Sequence, residues 1–262
     1  MTFEDVTIEN NDKIASGLWK MKIHAPLIAS MYKGAGQFIQ IQLNKNWRHP
    51  LRRPMSIAGV TNNTLSIIYK IFGSGTTVLS QKVPGDKINI LGPLGNIFKL
   101  YPNHSHILVG GGAGLAPIIN QWNQFNENNK NNYLLIGAKT RGEHILSHDP
   151  QNHIYLTTND GSIGTLGTVM KTLKELCNSV NNPAVIACGP KPMLTSIQSY
   201  VSNKSIPTQM AVESYMGCGV GICQGCVISR KNNKEKTHSY HEKYSLVCID
   251  GPVYNVGEIT FD

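Results

Sequence analysis

Cys218, Cys223 and Cys226 form a C-x4-C-x2-C array, and twenty-one residues separate the third of them from Cys248. Four thiols at that spacing match the plant-type pattern for a [2Fe-2S] cluster, in which two irons are held by four cysteines. Gly217, Gly219, Gly221 and Gly225 are interleaved with the first three. A loop wrapped closely over a cluster needs backbone at positive φ and amide hydrogens turned toward sulfur, and glycine supplies both at little steric cost. A structural zinc site is the competing reading, although zinc more often shows two C-x2-C knuckles. In either case the stretch is a cage that a larger fold has to carry.

The 262 residues leave room for two domains and a small appendage. A hydrophobic content of 40% and a charged content of 15% describe a globular protein with ordinary cores. The opening MTFEDVTIENNDK is acidic and polar, unlike a secretory leader, and the longest apolar candidate, Ile107 to Ile119, is interrupted by glycines. The expectation is a cytoplasmic protein, in which six cysteines serve metal or redox chemistry rather than disulfides. The formal charge of +8 is scattered. Its densest run, Arg230, Lys231, Lys234 and Lys236, comes without a nucleic-acid motif and reads as a solvated hairpin tip, so neither nucleic acid nor membrane is expected as a partner.

Residues 1 to about 100 read as strands: Ile8 to Ile23, Gly36 to Leu43, Pro54 to Ala58, Leu65 to Ile71 and Asp86 to Leu91, separated by turn chemistry such as Asn62-Asn63 and Pro84-Gly85-Asp86. Short strands at this spacing make a barrel. Within it, Arg53-Pro54-Met55-Ser56 offers a guanidinium for a diphosphate and a hydroxyl or amide for a flavin ring. Gly73-Ser74-Gly75-Thr76-Thr77, leading into a short helix from Val78 to Gln81, would expose amides and hydroxyls to an anion; a plain helix cap would look the same.

From His104 the texture changes to alternating strand and helix, a doubly wound α/β unit. Strands are expected at Ile107 to Val109, Tyr133 to Gly137, Ile154 to Thr157 and Ala184 to Cys188, with a helix from Thr168 to Leu176. Gly110 to Pro117, with Gly111, Gly112 and Gly114, opens the first helix with residues small enough for backbone to approach a dinucleotide pyrophosphate. Asp160-Gly161-Ser162 and Cys188-Gly189-Pro190 stand at carboxyl ends of strands, where ligands bind in open sheets. Lys139 and Arg141 occupy the place of a ribose-binding acid and would favour a 2′-phosphate, although solvated loop cations look alike. Cys188 either lies beside a nicotinamide or is a buried strand end, Cys177 belongs to a helix core, and Glu213 either orders the cysteine loop or faces the nicotinamide.

In this order, barrel, nucleotide unit and cysteine loop resemble the electron-transfer subunit of the NAD-dependent, iron-sulfur type of bacterial dihydroorotate dehydrogenase, in the ferredoxin reductase superfamily. The residues that carry the resemblance are Arg53 to Ser56, Ile68-Tyr69-Lys70, Gly75-Thr76, Gly110 to Pro117, Cys188-Gly189-Pro190, Glu213 to Cys226 and Cys248 to Val253. Met55 departs from the superfamily, which usually has an aromatic residue there, and the gap before Cys248 is longer than the family's. The resemblance implies a ferredoxin-reductase-like FAD barrel at 1–100, a doubly wound NAD-binding domain at 101–210 and a small [2Fe-2S] subdomain at 211–262. It implies FAD on Arg53, Pro54, Met55, Ser56, Ile68, Tyr69, Lys70, Gly75 and Thr76; NAD(H) on Gly111, Gly112, Gly114, Cys188, Gly189 and Pro190; and the cluster on Cys218, Cys223, Cys226 and Cys248. It further implies an FMN-containing catalytic subunit that oxidises dihydroorotate in pyrimidine biosynthesis, assembled as a heterotetramer of two copies of each chain. The small subunit of an NADPH-ferredoxin or electron-bifurcating oxidoreductase shares the layout, and a zinc-stapled basic binding module is the reading outside enzymes.

Overall fold

Alternation of apolar and polar residues along the first ninety residues closes a six-stranded antiparallel barrel. A computed structural model describes residues 1–43, 48–125, 131–231 and 240–261. The barrel strands are β1 (Thr2–Ala15), β2 (Leu18–His24), β3 (Phe38–Gln42), β4 (Arg53–Thr61), β5 (Thr64–Lys70) and β6 (Lys87–Leu94), joined around the wall in the order β1-β2-β5-β4-β3-β6. Every second residue points inward, so Ile39 and Ile41 of β3 meet Ile57, Leu65, Ile67 and Tyr69 in one buried core. The single strand expected from Ile8 to Ile23 is two, because Ser16-Gly17 turns the chain with Gly17 at φ +71°. Two short helices complete this unit. The first, α1 (Pro26–Met31), went unrecognised in the sequence; the buried Glu4 carboxylate accepts from the Leu27 and Ile28 amides at 3.0 and 2.9 Å and so satisfies its start. The second, α2 (Ser74–Ser80), begins four residues before the expected Val78.

The second unit is a sheet of β7 (Ser105–Gly111), β8 (Tyr133–Ala138), β9 (Ile154–Thr158), β10 (Thr165–Leu166), β11 (Pro183–Cys188) and β12 (Thr208–Ala211), all parallel in the order β10-β9-β8-β7-β11-β12. Its helices are α3 (Leu115–Gln124), α4 (Val169–Ser179) and α5 (Lys191–Lys204), the last unrecognised in the sequence. Chain direction across the sheet reverses between β7 and β11, which makes the crevice outside their carboxyl ends the topological switch point. Cys177 lies buried in α4, as a core residue.

The remaining chain forms a two-stranded hairpin, β13 (Val227–Ser229) and β14 (Tyr244–Leu246), preceded by the short helix α6 (Tyr240–Lys243). It then returns as β15 (Val253–Asn255), an antiparallel seventh strand beside β12. The cysteine-bearing segment is therefore built into the edge of the second sheet. Of the basic run, Arg230 is part-exposed just after β13; it approaches Asp250 at 3.6 Å and its Nε donates to the Tyr244 carbonyl. Lys234 and Lys236 lie outside the described residues. Among the described residues no helix is long and apolar enough to cross a membrane.

Candidate functional site

Where the barrel wall faces the switch point there is a cavity of about 320 Å³. Arg53, Pro54, Met55 and Ser56 of β4, Ile68, Tyr69 and Lys70 of β5, and Thr76 of α2 line it, so eight of the residues singled out in the barrel meet on one surface. Gly75 lies just behind. A Cβ there would stand 2.8 Å from Arg53 Nε and 3.0 Å from Leu43 Cδ1, so glycine lets the guanidinium lie flat over α2. Arg53 is steadied by donating from Nη1 to the Leu51 carbonyl at 2.8 Å.

Four side chains make contacts that the motifs did not foretell. Tyr69 is 1% exposed and its hydroxyl donates to Asn11 at 2.9 Å inside the barrel, because period two sends Ile68 and Lys70 outward and Tyr69 inward. The hydroxyls of Thr76 and Thr77 turn back onto their own turn: Thr76 Oγ1 accepts from Phe72 and donates to the Gly73 carbonyl, as does Thr77. Met55 leans on the barrel core.

Opposite β4 stands the start of α3. A Cβ on Gly114 would fall 2.4 Å from the Cys188 carbonyl carbon, and one on Gly110 2.9 Å from Ile136, so these glycines let the helix seat against the strand ends. That seating brings Ala113 into the cavity. At the switch point, Gly111 and Gly112 face Pro190 and Met193 across the crevice. Cys188 closes β11, buried, with its thiol pushed far up by burial and by the neighbouring Glu213 charge. Asp160 is held below the usual carboxylate range by Ser162, which donates to it from Oγ at 2.6 Å. Lys139 and Arg141 offer backbone amides here, to Glu143 and Ser162 respectively, and Glu143 in turn pairs with Lys70 at 3.4 Å.

Register carries the chain from β12 into the site. Cys188 pairs with Ala211, and Val212 and Glu213 follow. Glu213 opens onto this cavity and onto a neighbouring one of about 880 Å³ that reaches Gly189 and Lys191. Protein packed around its carboxyl removes water and raises its pKa, although its surface still faces the cavities. Phe38 and Val212 also line the first cavity and were not singled out from sequence; Ala113, Met216 and Pro252, which lie in stretches that carry the resemblance but were assigned to no cofactor, line it too. For Phe38 a signal existed in the alternation of β3, which places it outside the barrel.

Beyond Met216 the cysteine loop begins. Burial raises the Cys218 thiol, but the amides of Cys223, Val220 and Ile222 and the Cys223 side chain outweigh it and bring it down to about 7. Two of those donors stand 3.3 and 3.4 Å from its sulfur. Cys248, in the turn after β14, neighbours Cys226, and both are 2% exposed. Burial, then Cys226 and Cys218, push the Cys248 thiol up to about 12, against an opposing amide hydrogen bond from Gly221. The thiols thus influence one another, 218 with 223 and 248 with both 226 and 218. Among the described residues no His, Cys, Asp or Glu group is arranged to hold a metal ion in its present side-chain positions. Four thiols at the plant-type spacing, with backbone amides aimed at the Cys218 sulfur, suit a two-iron cluster better than one tetrahedral zinc. Of the four interleaved glycines only Gly219 and Gly221 adopt positive φ, +74° and +83°. Gly217 and Gly225 instead clear the Cys223 sulfur, which a Cβ would approach to 3.3 and 3.6 Å.

Residues 213–260 match the family model described as the iron-sulfur cluster binding domain of dihydroorotate dehydrogenase B. Across 271 aligned residues, covering 100% of both chains, the protein is 32% identical to the electron transfer subunit of dihydroorotate dehydrogenase B (NAD(+)) from Fusobacterium nucleatum. The chain belongs to this family of electron transfer subunits. Among solved structures, it resembles one of an NADH-dependent reduced ferredoxin-NADP oxidoreductase studied for flavin-based electron bifurcation, with TM-score 0.81, 25% identity, and coverage of 98% of this chain and 90% of the other. A Neisseria gonorrhoeae ferredoxin NADP+ reductase with bound FAD and NADP matches at TM-score 0.62 and 16% identity, over 77% of this chain and 92% of that one, and shares the fold. Membership in the family joins the two halves of the site, a flavin-reductase body and an iron-sulfur loop, in one polypeptide.

Proposed function

We propose that this chain carries electrons from a catalytic partner subunit that oxidises dihydroorotate, through a [2Fe-2S] cluster and FAD, to NAD(+). The observation that carries this reading is the stretch Val212 to Cys218. Glu213 opens onto the crevice by Gly189, Met216 onto the barrel cavity, and Cys218 begins the cysteine loop. The six residues from Glu213 to Cys218, even fully extended, span at most about 22 Å, so one short segment holds all three sites together.

When bound, FAD accepts electrons singly or in pairs and the cluster passes them one at a time, which is the chemistry that links one-electron traffic to a nicotinamide. The protein's part is placement. Arg53 over Gly75 supplies charge for a diphosphate, Ser56 and Ile68 form the wall for a ring, and the Gly111-Gly112 turn with Gly189-Pro190 frames the dinucleotide. Cys218, Cys223, Cys226 and Cys248 hold the irons. No side chain is assigned as a general acid or base.

In functional terms residues 1–100 serve FAD, 101–210 serve NAD(H) and 211–262 serve the cluster. The partner carries FMN, the assembly holds two copies of each chain, and the complex works in the cytoplasm in pyrimidine biosynthesis. The test is dihydroorotate-dependent reduction of NAD(+) by the co-purified complex. Replacing Cys218 or Cys248 with serine should lower that rate at least 100-fold, two decades being about 3 kcal/mol of barrier, while NADH still bleaches the flavin. Ferredoxin reduction by NADPH without dihydroorotate turnover would point to the bifurcating relatives instead.

A further inference from the structure

Gln40 sits on the outer face of β3, one step of the pleat beyond Phe38, and is 0% exposed. Both ends of its side chain are unpaired: neither Nε2 nor Oε1 has a hydrogen-bond partner. Among the described residues it is the one buried side chain with two polar atoms both left so. A buried amide in that state is costly unless something joins it.

Its neighbour is the cysteine loop. A Cβ on Gly219 would lie 2.7 Å from Gln40 Nε2 and 2.9 Å from its Cγ, so the missing side chain at Gly219, directly after Cys218, is what gives the amide its place. The backbone beneath is fixed. Pro54 stands opposite Gln40 in β4, and the Arg52 guanidinium donates to the Gln40 carbonyl at 3.3 Å and to Asn89. A rigid strand thus holds an unspent donor against a loop whose own amides already point at sulfur.

We propose that Gln40 is a positioning residue of the iron-sulfur centre, its side-chain amide donating a hydrogen bond to a sulfur of the cluster. This rests on the reading of the cysteine loop given above. An N–H aimed at sulfur favours the more negative, reduced cluster and so raises its reduction potential.

The test uses the complex with its catalytic partner. Gln40→Met, similar in length but without a donor, should keep iron, sulfide and FAD content yet shift the midpoint potential of the cluster downward. It should also shrink the change that D2O produces in the Fe–S stretching frequencies. Gln40→His, which restores an N–H, should recover part of the potential. A fully loaded Gln40→Met protein with the parent's potential and the parent's D2O response would overturn the proposal. Should Gln40→Met fail to load its cluster, the decision passes to a protein labelled with side-chain ¹⁵N glutamine in which Gln224, the cysteine loop's own glutamine between Cys223 and Gly225 at φ +54°, is removed as Gln224→Gly. There the reduced cluster should show a ¹⁵N coupling, and its absence in a loaded sample would overturn the proposal. A parent complex with no iron-sulfur spectrum would overturn the underlying reading of the loop as well.

Discussion

At the scale of single residues, two positions show how little chemistry is needed to shape the site. Gly75 matters for what it lacks. A methyl there meets Arg53 Nε at 2.8 Å and Leu43 at 3.0 Å, and the guanidinium has to move. Gly75→Ala is expected to weaken FAD binding about tenfold, the equivalent of one charged hydrogen bond, by flavin release into a filtrate. Glu213 matters for where its charge sits. Protein packed around its carboxyl, on a side chain still open to the cavities, raises it above the ordinary range, so the folded chain binds its proton more tightly than the unfolded chain does. Ionising it therefore costs stability as pH rises from the ordinary carboxylate range through the raised value. Glu213→Gln should melt higher than the parent at pH 8, with the gap closing as pH falls below the ordinary carboxylate range. A gap that widened toward acid would contradict this.

At the scale of elements, α3 is the hinge of the design in the plain sense that both units share it. Its Asn120 side chain, 3% exposed, donates to the Ile57 carbonyl of β4 at 2.8 Å, while its first turn lies against the end of β11. The fit at that end is made by Gly114, whose added Cβ would strike backbone, which cannot swing aside as a side chain can. Gly114→Ala should cost about 1–3 kcal/mol of stability, as overpacking generally does, read by denaturant unfolding. It should also loosen FAD, because Ala113 and the cavity wall move with the helix.

At the scale of the whole molecule, the cysteine segment is fastened to both units. It adds β15 to the sheet, and the Val212 amide donates to the Pro252 carbonyl at 2.9 Å. It also locks into the barrel's closing loop. Asn96 Nδ2 donates to the Asp250 and Val253 carbonyls at 3.0 and 2.8 Å, and its Oδ1 accepts from the Val253 amide at 2.9 Å. Gly95 leaves the space that Pro252 fills, since a Cβ there would fall 2.5 Å from its ring. Losing three net hydrogen bonds of about 1 kcal/mol each, Asn96→Ala should be about 2–4 kcal/mol less stable. Its cluster should bleach faster under a chelator than the parent's, with FAD retained longer than the cluster.

The linear sequence by itself determined the cysteine spacing, the alternation that closes the barrel, and the change to strand-helix alternation at the second unit. Each is a local pattern, set by side-chain period or by the chemistry of neighbouring residues. Arg53, Ser56, Ile68 and Lys70 were legible for the same reason, as outward or rim positions of two adjacent strands. Only the tertiary structure decided what Tyr69, Gln40, Glu213 and Asn96 touch. Tyr69 lines the cavity while the inward phase of β5 sends its hydroxyl to Asn11, a partner no local pattern names. Gln40 and Gly219 are 179 residues apart, and Asn96 and Val253 are 157 apart, so their contacts follow from how separate strands and loops pack, and no local window contains them. The same holds for β15: three residues with no distinctive period become a strand because β12 presents an open edge whose backbone groups have to be paired.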